Sequence, residues 1–227
     1  MIYSIVILAA SLLSADAAPS YTKQVESAAQ AALSKLPGQS AFLFTALDGD
    51  QVKPLFGIRQ DGRFAVGSSF KLFILGELAV EVNADRRGLD NAMRLRADLK
   101  GPPSSDMGDW PAGSPVTLHT LALKMISISD NTATDHLLYL LGRENVERQM
   151  ARMGHSHPEW NRPLLSTREM TMLRDKKTGM LGNEYLKLDE AGRRKFLAER
   201  IAKAPDYEQL DFDTAAYSVA EWYATPA

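Results

Sequence analysis

The chain has 227 residues, of which 45% are hydrophobic and 24% are charged. This composition supplies enough apolar surface for a sizeable core and excludes a disordered tail or a collagen-like fibre. The 26 basic and 28 acidic side chains give a formal net charge of −2, so no overall basic field is present to hold a phosphate backbone, and we expect no nucleic-acid partner.

The N-terminal segment predicts export. Residues 1–13 carry no charged side chain and are mostly apolar, and small residues follow up to Ala17. This pattern is typical of a signal peptide over residues 1–17, so we expect a periplasmic or secreted protein. The alternative is an N-terminal membrane anchor, but the apolar stretch is too short to cross a bilayer, and we expect no stable membrane insertion. Because the chain has no cysteine, it has neither disulfides, nor a cysteine nucleophile, nor a cysteine zinc site.

The next segment predicts a helix and then a hairpin. Apolar residues at helical spacing over 21–36 indicate an amphipathic helix that a Pro-Gly pair ends. Two extended apolar runs, 41–47 and 52–58, are separated by a turn at 48–50 and predict a β-hairpin.

The remainder predicts helices, which we expect over 68–82, 116–128, 132–141, 143–153, 166–174 and 189–204. The pattern thus gives two strands followed by an almost wholly helical remainder. An isolated hairpin needs partner strands or a helix over its face. The turn-rich loop 101–115 is either a surface connector or the rim of a pocket.

Ser68 and Lys71 open the first of these helices, which is apolar nearly all round and therefore central to the core. The two residues lie one turn apart, so the lysine amine can reach the serine hydroxyl. Poor hydration lowers the pKa of a lysine and makes it a base, and free N–H groups at a helix start suit an oxyanion. Alone the motif is weak, because Ser20 and Lys23 share its spacing and Ser68 can equally be an ordinary N-cap residue.

A second polar element, Ser129-Asp130-Asn131, interrupts the helical pattern at a junction. Ser-x-x-Lys followed by Ser-Asp-Asn, in this order and near the family spacing, resembles class A β-lactamases and related penicillin-recognising serine hydrolases. The resemblance covers about residues 41–173 and implies the α/β (α+β) β-lactamase/transpeptidase-like fold, with a helical lobe and an antiparallel-sheet lobe that is incomplete here. On this fold, residues 18–67 form the N-terminal part of the α/β lobe, 68–204 the helical lobe and 205–227 the start of the return to the α/β lobe.

The resemblance also implies a role for each matching residue. Ser68 is the acylated nucleophile, whose backbone N–H forms half of the oxyanion hole, and Lys71 is its proton acceptor. Ser129 passes a proton to the leaving lactam nitrogen, and Asn131 binds the acylamide of the substrate. Asp130 is structural and ties the junction together.

The family's third element, Lys-Thr-Gly on a strand, has no counterpart that fits. Lys177-Thr178-Gly179 spells it too close to Ser129. Ser166 and Glu169 form a capping box that starts a helix just before it, so we interpret this triplet as a helix end. The strand is then expected near or beyond Ala227. The resemblance therefore implies a chain truncated before the later sheet strands, a poor catalyst in its 227-residue form.

The loop 154–161 resembles the family's Glu-Pro-Glu-x-Asn loop, with His157 in the place of the first glutamate. Glu159 is a candidate deacylation base, and its alternative is a solvated loop carboxylate. Without such a base, acylation outruns hydrolysis and gives a penicillin-binding or weak esterase character. Zinc accepts histidine and glutamate ligands, which makes His155, His157 and Glu159 candidates for a metal site. However, two histidines two positions apart in a polar loop are common without a metal, and we expect no metal here.

The predicted function is that of a serine hydrolase that acts through an acyl-enzyme at Ser68 and hydrolyses β-lactams in the manner of class A enzymes, with antibiotic resistance as the consequence. One alternative is a non-catalytic or slowly turning over penicillin-binding or sensing domain. Another is a cell-wall peptidase or esterase of the same fold. Each takes a small-molecule amide or ester as its substrate, and we expect a monomer without a cofactor.

Overall fold

The computed structural model describes residues 18–49, 51–101, 105–175, 181–204 and 220–227. The predicted signal peptide and the triplet Lys177-Thr178-Gly179 lie outside these ranges. The chain divides into two compact units, one formed by Met1–Ala65 with Tyr223–Ala227 and the other by Val66–Trp222. In the described ranges, every helix is too short or too polar to cross a membrane.

The described strands are β1 (Phe42–Asp48), β2 (Gln51–Ile58), β3 (Phe64–Ala65), β4 (Ala92–Arg94), β5 (Pro115–Thr117) and β6 (Tyr223–Ala224). They pair antiparallel, as β1 with β2, β3 with β6 and β4 with β5. The described α-helices are α1 (Ala18–Leu33), α2 (Lys71–Asn83), α3 (Leu118–Ser127), α4 (Asn131–Leu141), α5 (Arg143–Arg152), α6 (Thr167–Arg174), α7 (Leu181–Leu186) and α8 (Glu190–Phe196). The predicted α/β class with an incomplete sheet lobe is confirmed, since these strands pair only two at a time.

The smaller unit is built on the β1–β2 hairpin. Phe42 and Phe44 lie on one face of β1, as the two-residue period of a strand requires, and pack with Ala29 of α1. The cover that the hairpin needs is therefore provided by α1. The register shifts after Phe44, where Thr45 pairs with Pro54, and such a bulge accommodates a proline because proline has no N–H for the ladder.

The larger unit packs its helices around α2 and α4. Ile74 and Leu78 of α2, with Leu137 and Leu138 of α4, are buried in a core to which most helices of the unit contribute. Most residues of α4 are buried, which is typical of a central helix. The helix that follows Ser129-Asp130 is therefore held firmly on several sides, and this fixes the junction that carries the predicted site.

Several helix predictions were wrong at their boundaries. The helix predicted over 21–36 lies three residues earlier, as α1. The helix predicted over 116–128 starts later, because β5 pairs with β4 and Thr117 then caps α3. The helix predicted over 189–204 is α-helical only as far as Phe196, and one π-helical turn, Leu197–Ile201, follows it.

Candidate active site

Ser68 and Lys71 lie at the start of α2. A 3₁₀ turn, Gly67–Phe70, precedes the helix and carries Ser68 on the surface, whereas Lys71 begins the α-helix and is only 2% exposed. The α-helix predicted from Ser68 thus starts one turn late. Gly67 has a φ of 51°, in the left-handed region that glycine adopts without strain. This turn leaves the Ser68 hydroxyl exposed and buries the Lys71 amine.

The Lys71 amine contacts the second polar element. Its Nζ donates to the Ser129 carbonyl oxygen at 2.6 Å, to Ser129 Oγ at 2.8 Å and to Asn131 Oδ1 at 2.8 Å. These bonds use all three hydrogens of an ammonium group. The structure therefore brings together Lys71, Ser129 and Asn131, three of the predicted site residues.

The hydroxyl and the backbone N–H of Ser68 are available for hydrogen bonding. In the described part of the chain, its hydroxyl has no hydrogen-bond partner and its backbone N–H donates to none. The bond between hydroxyl and amine that the motif predicts is not formed here, because Lys71 is turned to Ser129 and Asn131. The free N–H is available to stabilise an oxyanion.

Burial prepares Lys71 to act as a base. Removal of the amine from water lowers the pKa of Lys71 from 10.5 to about 8, and the negative charges of Asp135 and Asp130 partly oppose this shift. A substantial fraction of the amine is therefore neutral in mildly alkaline solution, where it can accept a proton.

Asp130 holds the junction together, as the resemblance implies. Its Oδ1 accepts the Ala133 N–H at 2.8 Å and caps α4, and its Oδ2 accepts the Met107 N–H at 2.9 Å. The Ser105 hydroxyl also donates to Oδ1 at 3.0 Å. Ser129, one residue earlier, has a φ of 59°, so this backbone turns sharply before α4 begins.

The loop 101–115 reaches the same junction at its described residues. The Gly101 N–H donates to Thr132 Oγ1 at 3.1 Å, and Ser105 Oγ lies 2.6 Å from the same oxygen. Of the two interpretations of this loop, these contacts favour the rim of the site.

Residues 24–191 match the model of the β-lactamase enzyme family. The chain belongs to the β-lactamase enzyme family. Its predicted relationship to β-lactamase-related serine hydrolases is thereby confirmed, and the family implies a small-molecule substrate. Among curated proteins, none matches the sequence.

Solved structures share the fold of this β-lactamase-family chain. The β-lactamase from Sphaerobacter thermophilus is 22% identical, with 83% of this chain and 74% of that one covered and a TM-score of 0.50. A variant of PBP-A, solved as an acyl-enzyme complex with penicillin G, is 24% identical, with 78% and 67% covered and a TM-score of 0.50. The TLA-3 extended-spectrum β-lactamase is 14% identical, with 60% and 50% covered and a TM-score of 0.51.

The two glutamates near the family's deacylation loop are engaged elsewhere. Glu159 is exposed, and its carboxylate bonds with His157 Nδ1 at 3.0 Å. Glu169 accepts two bonds from the Arg143 guanidinium, at 2.6 and 2.9 Å, and one from the Ser166 N–H at 2.8 Å. The capping box predicted for Ser166 and Glu169 is present with both of its bonds. The assignment of Glu159 as a deacylation base stays a prediction.

The histidines of the loop also bond to their neighbours. His155 Nδ1 accepts the His157 N–H at 3.1 Å, and His155 Nε2 lies 3.0 Å from Asn161 Nδ2. Among the described residues, no group of three or more histidine, aspartate or glutamate side chains is arranged to hold a metal ion.

Sequence reasoning missed Asp135 and Thr167. Both oxygens of the buried Asp135 carboxylate accept backbone N–H groups at the start of α6, from Thr167 at 2.7 Å and from Arg168 at 2.9 Å. Thr167 Oγ1 donates to the Asn131 carbonyl oxygen at 3.4 Å. The signal was an aspartate one helical turn after Asn131, in a helix whose second half is largely apolar.

Proposed function

We propose that the chain opens β-lactams through an acyl-enzyme on Ser68. The contact between Lys71 Nζ and Ser129 Oγ, at 2.8 Å, carries this proposal. It joins a buried amine of lowered pKa to a hydroxyl along which a proton can pass.

The proposed acylation uses these groups in sequence. Ser68 Oγ forms a bond to the lactam carbonyl carbon, and the neutral Lys71 amine takes the hydroxyl proton. The Ser68 N–H stabilises the oxyanion, and the carbon–nitrogen bond breaks as Ser129 gives its proton to the nitrogen. Lys71 then returns a proton to Ser129, which leaves an ester on Ser68.

The second candidate function is that of a penicillin-binding protein, which releases its acyl group slowly. The positions of the two glutamates favour it. Both oxygens of Glu169 are occupied by Arg143 and the Ser166 N–H, so Glu169 is not free to activate a water molecule. Glu159 is exposed and paired with His157. The ester then persists, as in the PBP-A variant captured as an acyl-enzyme with penicillin G. This candidate corresponds to a penicillin-binding or sensing protein.

The test is the intact mass of the chain after exposure to a penicillin. In keeping with a poor catalyst, we expect an adduct that forms slowly on Ser68, no adduct in the Ser68→Ala variant, and an unchanged adduct in the matched control Ser69→Ala, which alters a neighbouring exposed hydroxyl. A wild-type chain that stays unmodified, or an adduct that survives Ser68→Ala, contradicts the proposal.

Turnover of a chromogenic cephalosporin separates the two candidates. Sustained hydrolysis supports a β-lactamase, and a burst of one equivalent followed by slow release supports a penicillin-binding protein. Cell-wall peptides and simple esters, offered in the same assay, test the peptidase and esterase alternatives.

A periplasmic or extracellular location is also a proposal, which the apolar segment at residues 1–13 supports. Fractionation of expressing cells tests it, and a chain that retains residues 1–17 in the cytoplasm contradicts it.

A further inference from the structure

Asp135 is a buried carboxylate that the proposed reaction does not use. It lies on α4, one helical turn after Asn131, and is only 2% exposed. A buried charge is costly unless hydrogen-bond donors surround it. Here the donors are the Thr167 and Arg168 N–H groups, at 2.7 and 2.9 Å, in the first turn of α6, where a helix favours negative charge.

A short chain of contacts leads from Asp135 to the proposed base. Asp135 fixes the first turn of α6, and Thr167 in that turn donates to the Asn131 carbonyl oxygen at 3.4 Å. The side chain of Asn131 accepts from Lys71 Nζ at 2.8 Å. Asn131 is therefore held between α6 and the amine.

The charge of Asp135 also acts on Lys71 directly. Burial destabilises the ammonium form of Lys71, and the negative charges of Asp135 and Asp130 stabilise it. Asp130 has a second task, since it caps α4 and binds Met107. Asp135 is thus the carboxylate whose charge can be changed while the cap of α4 stays in place.

We propose that Asp135 is a positioning residue for Lys71, which holds Asn131 in place through α6 and stabilises the protonated amine through its negative charge. This inference rests on the proposed acylation at Ser68. It implies that Asp135 raises the pH at which the chain becomes reactive, in opposition to the larger effect of burial.

Other charged groups face Asp135 from the elements around it, namely Lys71 of α2, Arg143 of α5, Arg168 and Glu169 of α6, and Asp98 in the 3₁₀ turn Ala97–Leu99. Arg143 and Glu169 bind each other at 2.6 Å, so their charges largely cancel. Burial raises the pKa of Asp135 to about 6, although hydrogen bonds from the Arg168 and Thr167 backbone N–H groups and from the Thr167 side chain oppose the shift. Asp135 is therefore ionised across the range in which Lys71 titrates.

The test is the pH dependence of acylation by a penicillin in the Asp135→Asn variant. Removal of the negative charge favours the neutral amine. The pH at which the acylation rate rises is therefore expected to fall by about one pH unit. The matched control is Asp98→Asn, which removes an exposed carboxylate paired with Arg96 and is expected to leave the rise in place. A lower rate at every pH with an unmoved rise overturns the proposal, because it indicates a structural role alone.

A measurement on the wild-type chain covers the case in which Asp135→Asn fails to fold. With ¹³C-labelled lysine, the Lys71 signal is assigned by its loss in Lys71→Met and followed by NMR as the pH is lowered. We expect an additional step near pH 6, where Asp135 takes up its proton, and its absence overturns the proposal. This titration requires no β-lactam, so it separates failure of the present inference from failure of acylation at Ser68.

Discussion

Lys71 donates three hydrogen bonds as an ammonium group but only two as a neutral amine. Loss of its proton therefore ends donation to one of three acceptors, namely Ser129 O, Ser129 Oγ or Asn131 Oδ1. The lone pair that results can accept a proton from the Ser129 hydroxyl or, in the proposed reaction, from that of Ser68. Deprotonation of the base thus changes the hydrogen bonds at this site.

The acylation rate is expected to rise with pH through about 8. Below this pKa the amine is an ammonium and cannot accept a proton, and above it the neutral base predominates. Well below the pKa, each unit of pH should change the rate about tenfold. Adduct formation on Ser68, followed by mass spectrometry across the pH range, measures the profile.

Lys71→Arg is the control for this profile. The guanidinium stays protonated, so the variant should be slow at every pH. A wild-type rate that does not depend on pH would show that another group accepts the proton.

Gly101 gives a second prediction for a single residue. A Cβ at this position would lie 2.5 Å from Thr167 Oγ1 and 3.0 Å from the Asn131 carbonyl carbon. Since the backbone of Asn131 cannot move without disturbing Lys71, Gly101→Ala should lower the free energy of unfolding by about 1–3 kcal/mol. It should also slow acylation of Ser68.

Gly76→Ala in α2 is the matched control. There a Cβ would meet the flexible end of the Met153 side chain, and alanine favours a helix over glycine by about 1 kcal/mol. Urea unfolding of the two variants measures both effects. Equal stability of Gly101→Ala and the wild-type chain would contradict the prediction.

Among the elements, the sequence predicted those that depend on local signals. The capping box of Ser166 and Glu169 is complete within four residues and is present as predicted. The contact of Lys71 with Ser129 joins residues 58 positions apart, and only the resemblance, not the local pattern, placed both residues in one site. Asp135 was missed because its partners lie on another helix, and nothing local marks the π-helical turn that follows Phe196.

The segment after Ala220 braces the turn that carries Ser68. The Trp222 ring stacks on Phe70 with centroids 3.7 Å apart and planes at 8°, and its Nε1 donates to the Leu165 carbonyl oxygen at 3.0 Å. The Val66 N–H donates to the Trp222 carbonyl oxygen at 2.9 Å. Trp222 therefore contacts the chain on both sides of Ser68.

Trp222→Ala should lower the free energy of unfolding by about 3–5 kcal/mol, because it removes a buried aromatic ring. We also expect slower acylation of Ser68, since Phe70 loses the ring that holds it. Trp222→Phe keeps an aromatic ring on Phe70 and loses only the bond to Leu165, so its effect should be smaller on both counts. Chemical unfolding and adduct formation measure the two effects, and equal acylation rates in both variants would refute a bracing role.

At the scale of the whole molecule, the two units differ in their cores. The larger unit buries a continuous apolar cluster to which α2, α3, α4, α5 and α6 contribute. In the described part of the smaller unit, the fully buried apolar side chains that cluster are Ala29, Phe42 and Phe44. Since buried apolar area is the main favourable term in folding, the larger unit should be the more stable of the two.

Hydrogen exchange of the intact chain tests this difference. Amides of α4 should exchange at least about 100-fold more slowly than amides of β1 and β2, because they open only when the large core is disrupted. Phe44→Ala should accelerate exchange in the hairpin, and Leu137→Ala, at a fully buried position of α4, should accelerate it in that helix. Similar protection of residues 42–58 and 131–141 would contradict the prediction, because it requires the small core to be as stable as the large one.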